Sequence, residues 1–510
     1  MEGAVARAPA PVSEAGREAT RTQIRGSSLL LAGRLLSVGV NFAVQILIVR
    51  YLTKSDYGAF AYALSLVALG ESVAALGLDR ALSRFLPIYD EEGRRARILG
   101  TLVLAAGTVL ALGLGVILAV VGLRGLLAGS IGGEHASTVL LILILLAPVQ
   151  ALDGLLMGTF AVFTNARAIF FRKYVLAPGL RLAVVLLLVL TGSGFAFLAA
   201  GYVLAGALAG PIYLAVLVRT LRRQGVFEGM RARGLELPAR ELFGFALPLL
   251  AVDLLHVVTN TTNVLMLGFF GNGDDVADYR VVLPVAHLNM LVMSSFTLLF
   301  TPVAARLYAR GDRAGIDDLY WKTAVWLTVA TFPIFAFSFA LAEPVTVALF
   351  GERYRDSAPI LALLAVGYYF GAALGFNGLT LRVYGFVRYI VVVSVAAAAV
   401  NVVLNLTMIP AWGPLGAGIA TCLTLVLHNV LKQAGLRRGT AIRVFASGEA
   451  GVYLTVAVAA AVLAITQHAL EPPLILAAAL ATAVSAAVLV STRAALRVGE
   501  TFPELARVPV

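Results

Sequence analysis

Long apolar segments alternate with short polar stretches along almost the whole chain. A helix that crosses the roughly 30 Å hydrocarbon core of a bilayer needs about 20 consecutive, mostly apolar residues. Fourteen segments reach this length and predict fourteen membrane-spanning helices, at residues 27–49, 57–83, 98–123, 138–161, 174–192, 195–218, 241–270, 279–304, 321–342, 357–380, 388–409, 412–435, 449–467 and 473–492.

Composition agrees with this pattern. The chain has 510 residues, of which 60% are hydrophobic and 13% are charged, whereas soluble proteins carry about 25% charged residues. The predicted fold class is therefore an all-α polytopic membrane protein. The single cysteine, Cys422, excludes an intramolecular disulfide. A net charge of +11 would favour nucleic acid as the partner of a soluble protein. Here the basic residues concentrate in short loops between spans, so no nucleic acid is expected.

Lysine and arginine residues predict the orientation of the chain in the membrane. With the N-terminus inside, 31 of the 39 basic residues fall in cytoplasmic segments and six fall in outer segments. Basic residues in short loops favour the cytoplasmic side. We therefore expect a multi-pass protein of the cytoplasmic (inner) membrane with both termini in the cytoplasm. The remaining two basic residues, Arg34 and Arg181, lie inside predicted spans.

Weak internal repeats predict two lobes. Arg167 and Arg382 are 215 residues apart, as are Arg222 and Arg437. The copies share the same orientation, which is typical of parallel repeats related by an axis along the membrane normal. The predicted domains are a disordered cytoplasmic tail (1–26), an N-lobe of helices 1–6 (27–218), a basic cytoplasmic linker (219–240), a C-lobe of helices 7–12 (241–436), helices 13–14 (437–497) and a second cytoplasmic tail (498–510).

The first predicted helix carries a row of polar residues. Arg34, Ser37, Asn41 and Gln45 follow at steps of three, four and four, which places them on one helix face. A charged side chain within a span usually faces protein or a water-filled cavity, so this row predicts one wall of a polar cavity. Two simpler interpretations of Arg34 remain open, namely snorkelling to the cytoplasmic headgroups and an ion pair with Glu71.

The seventh predicted helix carries a matching row, formed by Asp253, His256, Asn260 and Asn263. Asp253 follows Arg34 by 219 residues, and His256 and Asn260 follow Ser37 and Asn41 by the same interval. The match predicts that Arg34 and Asp253 lie at a similar depth in the two lobes and meet when the inner side closes. His256 is also compatible with a hydrogen-bonded packing histidine. On helix 8, His287 begins a seven-residue repeat that fits either cavity lining or helix packing.

The sequence lacks the common signatures of membrane enzymes. No lysine stands in a Gly-Lys phosphate-binding loop, and no His-Glu-x-x-His metal site is present. The predicted outer loops are short, whereas a glycan polymerase needs room there for an acceptor. The chain is therefore predicted not to be an enzyme, and no cofactor is expected.

Three stretches resemble the oligosaccharide (O-antigen, Wzx-type) flippases of the multidrug/oligosaccharidyl-lipid/polysaccharide (MOP) superfamily. They are Gly26–Leu52 with the following Thr53–Gly58 (TKSDYG), Leu76–Pro87 (LGLDRALSRFLP) and the Gly-rich turn Trp412–Gly418 (WGPLGAG). The resemblance implies two six-helix lobes around a central cavity that opens to alternate sides, with two additional C-terminal helices. It also implies translocation of a polyprenyl-diphosphate-linked oligosaccharide from the inner to the outer leaflet, for surface polysaccharide biosynthesis.

The same resemblance implies basic cavity residues that meet the diphosphate. Arg34 fits this position, and Arg181 and Arg280 are further candidates. Coupling to a proton or sodium gradient is implied, as are a glycan polymerase and export machinery as partners. The alternatives are a multidrug or cation exporter of the same superfamily, a peptidoglycan lipid-precursor flippase and, from another class, a polytopic glycan polymerase. The fourteen predicted spans count against a multidrug or cation exporter. Arg34 also counts against it, because a cation substrate favours acidic groups in the cavity.

Overall fold

A computed structural model describes residues 14–125, 134–163, 169–227, 235–440, 442 and 449–496, and every regular element in these ranges is helical. The elements are α1 (Glu14–Tyr51), α2 (Lys54–Ala75), α3 (Leu78–Glu91), α4 (Arg95–Gly122), α5 (Glu134–Leu143), α6 (Leu146–Val162), a π-helix (Phe170–Leu176), α7 (Ala177–Thr191), α8 (Phe195–Arg223), α9 (Ala239–Phe270), α10 (Gly273–Ala286), α11 (Leu288–Ala309), α12 (Arg313–Phe339), α13 (Ala342–Phe350), a 3₁₀ helix (Glu352–Ser357), α14 (Ala358–Ala373), α15 (Asn377–Val383), α16 (Val387–Gly439), α17 (Ala450–Leu470) and α18 (Leu474–Leu496).

The helices confirm an all-α polytopic membrane protein. Within the described ranges, twelve helices or helix pairs are long and apolar enough to cross a membrane, and α9 is a thirteenth when its two parts count as one span. α16 has 53 residues, about 80 Å at 1.5 Å per residue, which is far more than one crossing needs. Its backbone leaves the helical region at Gly413 (φ 54°), inside the predicted turn 412–418. Two spans in α16 bring the total to the predicted number of about fourteen.

The first helix begins earlier than the sequence pattern predicts. α1 starts at Glu14, so residues 14–26, which were predicted to belong to a disordered tail, are helical. Glu, Ala and Arg are good helix formers, and no proline interrupts this stretch. A polar sequence that is also rich in helix formers can extend a membrane span into the aqueous phase. Residues 1–13 and the predicted C-terminal tail, 498–510, lie outside the described residues.

Two irregular segments shape the first half of the chain. Leu76 and Gly77 have φ values of 51° and 69°, which ends α2 and starts α3 in a new direction. A left-handed conformation is easy for glycine but unusual for leucine. The second segment is the π-helix, a rare element that is frequent at functional sites. The first segment precedes Arg80 and the second contains Arg172, and both arginines form ion pairs.

The chain divides into two compact units. The first comprises residues 1–48, 67–123 and 141–254, and the second comprises residues 49–66, 124–140 and 255–510. The boundary thus falls inside α9, and the end of α1 and the beginning of α2 belong to the second unit. The core of the first unit is built around α3, α4, α6 and α8, with Leu82, Leu86 and Phe160 fully buried. A large core of the second unit joins α12 and α14 to α17 and α18.

Candidate functional site

The polar row predicted in the first span lies within the single helix α1. Asn41 Nδ2 donates hydrogen bonds to the backbone oxygen of Ser37 (2.7 Å) and to its Oγ (3.1 Å). Ser37, Asn41 and Gln45 are half-buried, whereas Arg34 is exposed. Arg34 forms no ion pair with any described residue. Glu71, its proposed alternative partner, lies near Asp153 and Arg181 instead.

Next to Arg34, α1 lies against the π-helix. A Cβ atom on Gly33 would approach the rings of Phe170 and Tyr174 to 2.8 Å, so a larger residue would force these rings to move. Arg34 therefore directly follows a residue that packs closely against the π-helix. A charged group that is exposed within a span needs a wet cavity, a headgroup or an anionic ligand.

Asp253 forms its ion pair with Arg80, not with Arg34. The meeting of Arg34 with Asp253 on closure of the inner side therefore stays a prediction, and in this structure the partner of the carboxylate is Arg80. Gly77, at the start of α3, lies against α9 at Ala246 and Leu249, and this contact brings Arg80 within reach of Asp253. Because the turn between α2 and α3 decides the pairing, the 219-residue offset alone could not identify the partner.

We expect a double-mutant cycle to detect this ion pair. Arg80 is 48% and Asp253 is 22% exposed at the side chain, so we expect a coupling energy of about 1 kcal/mol between Arg80→Ala and Asp253→Ala. The thermal unfolding of the purified variants measures it. Arg34→Ala combined with Asp253→Ala serves as the control, and its effects should add. A coupling energy near zero for Arg80 with Asp253 would contradict the structure.

The remaining residues of the second row have different environments. The side chain of His256 lies outside the described residues, and Asn260 is exposed. Asn263 is only 4% exposed. Its Nδ2 donates to Tyr279 Oη (2.6 Å) and to Thr421 Oγ1 (2.8 Å). The amide of Asn263 is thus occupied by protein partners in this conformation.

Asn263 belongs to a buried polar network in the second unit. Asn405 Nδ2 donates to Asn263 Oδ1 (2.6 Å), and Asn401 Nδ2 donates to Thr424 Oγ1 (3.2 Å). The network links α9 and α10 to both halves of α16 without any charged group. Buried amides of this kind join helices within a membrane.

Arg280 and His287 lie close together in the structure. Seven residues separate them across α10, so they share one helix face. His287 Nε2 and Tyr368 Oη form a hydrogen bond of 2.6 Å, and Arg280 is close enough to interact electrostatically with both. The result is a half-buried cluster with a guanidinium, an imidazole and a hydroxyl group, which together suit an anionic or hydroxyl-rich ligand.

A buried ion pair in the first unit was not predicted. Arg172 Nε and Nη2 approach Asp153 Oδ1 to 2.7 Å and 2.6 Å, and Arg172 is only 4% exposed. Arg172 lies between the predicted spans 138–161 and 174–192, where a loop arginine is expected, whereas the structure buries its side chain. A cavity of about 60 Å³ beside the pair is also lined by Arg181, whose guanidinium lies 5.9 Å from the ring centroid of Tyr202. In the sequence, the only feature that pointed to this ion pair was Asp153, a charged residue in the middle of a predicted span.

A second ionic cluster, here called the Lys54 cluster, joins α2, α10 and the 3₁₀ helix within the second unit. Lys54 Nζ lies 2.8 Å from Asp278 Oδ1, and Ser357 Oγ donates to the same oxygen (2.8 Å). A Cβ atom on Gly58 would lie 1.7 Å from the carbonyl oxygen of Gly273, so α2 and α10 are in backbone contact. The charge asymmetry of the sequence predicts that this cluster lies at the outer end of the helices.

Comparisons with known proteins agree with this fold. The lipid II flippase MurJ in an inward closed conformation has a TM-score of 0.69 at 11% identity, over 93% of this chain and 100% of that chain. An inward-facing multidrug resistance transporter of the MATE family has a TM-score of 0.59 at 16% identity, over 79% and 94%. A MOP superfamily transporter from Pyrococcus furiosus has a TM-score of 0.55 at 15% identity, over 82% and 95%.

The fold is therefore that shared by the lipid II flippase and these MOP superfamily transporters. The family model described as "Polysaccharide biosynthesis protein" matches residues 24–308. This chain belongs to that family, which confirms the superfamily predicted from the sequence. A curated relative, the uncharacterized membrane protein MJ1068 of Methanocaldococcus jannaschii, is 22% identical over 419 residues, which are 78% of this chain and 80% of that protein.

Proposed function

We propose that this protein is a flippase that moves a polyprenyl-diphosphate-linked oligosaccharide from the inner to the outer leaflet of the cytoplasmic membrane, with both termini in the cytoplasm. The observation that carries the proposal is Arg34, an exposed guanidinium within a span that has no described ion-pair partner. Arginine binds phosphate oxygens in a bidentate manner. The polar row behind it, Ser37, Asn41 and Gln45, supplies hydrogen-bonding groups for the sugar.

Membership in the polysaccharide biosynthesis family supports a glycan as the cargo. The MOP fold supports transport by alternating access, in which the cavity opens to one side of the membrane at a time. The lipid part of the cargo can remain in apolar surroundings while the diphosphate and sugar cross. A proton or sodium gradient would supply the driving force, and the product would pass to a glycan polymerase and export machinery in the outer leaflet.

The test is the response of export to changes at Arg34. We expect Arg34→Ala to abolish surface glycan while the protein inserts at normal levels, and Arg34→Lys to retain partial activity because a single ammonium replaces the bidentate group. Surface glycan normalised to membrane protein is the readout. Arg124→Ala, at an exposed position after α4, is the matched control. Normal export by Arg34→Ala would mean that Arg34 only reaches the headgroups, and the proposal would fail.

A further inference from the structure

We propose that a groove on the first unit binds the isoprenoid chain and diphosphate of the lipid carrier at the inner leaflet. The inference rests on the proposed function, because it names the part of the cargo that this surface recognises. The groove has a volume of about 690 Å³ and lies between α4, α6 and α8. It is distinct from the polar row of α1.

The walls of the groove suit a hydrocarbon chain. α4 contributes Leu99, Val103 and Leu110, and α8 contributes Ala207, Leu214 and Val218. Val103, Leu110 and Leu214 are each more than half exposed, so the groove is open to a ligand that arrives from the bilayer. Small residues on α8, Gly206, Ala207 and Gly210, leave the depth that a side chain would otherwise fill.

The groove is longer than one leaflet is thick. Its lining extends along α8 from Gly206 to Leu221, which is about 22 Å at 1.5 Å per residue. One leaflet contributes roughly half of the 30 Å hydrocarbon core. A chain anchored at the inner surface would therefore reach the middle of the membrane. There the groove ends near the polar pair of Asp153 and Arg172.

Two arginines extend the groove at its predicted cytoplasmic end. Leu214 and Val218 line the groove, and Arg222 is the next residue of the same i, i+4 row. On α4, Arg95 precedes the lining residue Leu99 by four positions. Both arginines are exposed. α4 begins and α8 ends at the predicted cytoplasmic side, so each of the two rows finishes in a cation there.

This arrangement selects a particular class of lipid. A diphosphate carries more negative charge than the single phosphodiester of a phospholipid and offers oxygens for two guanidinium groups. A single apolar groove that ends in two arginines is complementary to one hydrocarbon chain with a diphosphate at its head. We therefore commit to a polyprenyl diphosphate, with an ordinary anionic phospholipid as the alternative that the experiment excludes.

Binding of tritiated undecaprenyl diphosphate to the purified full-length protein tests the inference without any transport assay. We expect Ala207→Trp, which fills the groove, to weaken binding about tenfold because several methylene contacts are lost. Leu208→Trp is the matched control, since Leu208 is 62% exposed and does not line the groove. Equal binding by the Ala207→Trp variant and the wild type would overturn the proposal.

The head of the lipid is tested separately. Arg222→Gln should weaken binding of undecaprenyl diphosphate but leave binding of neutral undecaprenol unchanged, and Arg219→Gln, off the lining row, should change neither. Displacement of the probe by an equal amount of phosphatidylglycerol would identify a general phospholipid site and overturn the inference. If the groove proposal is wrong, the groove variants will bind undecaprenyl diphosphate as the wild type does. If the proposed function is wrong, the failure will appear in the export of surface glycan.

Discussion

Arg172→Ala is expected to lower the free energy of unfolding by about 3 kcal/mol, because it leaves the carboxylate of Asp153 without its cation inside the membrane. Removing one partner of a buried ion pair costs more stability than replacing both partners by apolar residues, because the remaining charge stays desolvated. We use the lower end of the usual range because the side chain of Asp153 is 32% exposed. The measurement is equilibrium unfolding of the purified protein in detergent.

The comparison with a double variant separates the ion pair from simple packing. Replacing both charges, with Arg172→Met and Asp153→Leu, should recover most of the lost stability because no unpaired charge remains. Lys173→Ala changes an adjacent exposed cation and should have little effect. If the double variant were as unstable as Arg172→Ala alone, the loss would come from packing around the arginine, and the role assigned to the ion pair would be wrong.

Lys54→Glu is expected to separate α2 from α10 at the Lys54 cluster, because it places a second carboxylate beside Asp278. The side chains of Lys54 and Asp278 are 21% and 13% exposed, so solvent screens the repulsion only in part. Disulfide trapping between Ser55→Cys and Gly273→Cys reports this contact, since a Cβ on Gly273 would lie 3.2 Å from Ser55 Oγ. The yield of the disulfide should fall several-fold in Lys54→Glu.

The charge-reversed pair Lys54→Asp with Asp278→Lys should restore trapping, because opposite charges meet again. Lys322→Glu is the matched control. Its partner Asp318 lies 2.7 Å away in the same helix, and the two side chains are 43% and 58% exposed, so this pair contributes little. Surface glycan, measured in parallel, should follow the trapping yield if opening at this end is part of transport. Unchanged trapping in Lys54→Glu would show that the ion pair does not hold the two helices together.

The sequence by itself determined the membrane class, the approximate spans and the superfamily. These properties are local, because a span requires only a sufficient length of apolar residues. The polar row of α1 was equally accessible, since the spacing of Ser37 and Asn41 alone brings their side chains together on one helix. The start of α1 was misplaced because hydropathy marks the membrane boundary, whereas helix formers continue the helix back to Glu14.

The tertiary structure decided which charges meet. Asp253 pairs with Arg80 because the left-handed residues Leu76 and Gly77 direct α3 against α9. Arg172 is buried because the π-helix carries it to Asp153 on another helix, although its sequence context is that of a loop arginine. Asn263 is occupied by partners 16 and 158 residues away. An ion pair or buried hydrogen bond depends on angstrom-scale positions set by helix breaks and distant packing, and periodicity along one helix contains no information about either.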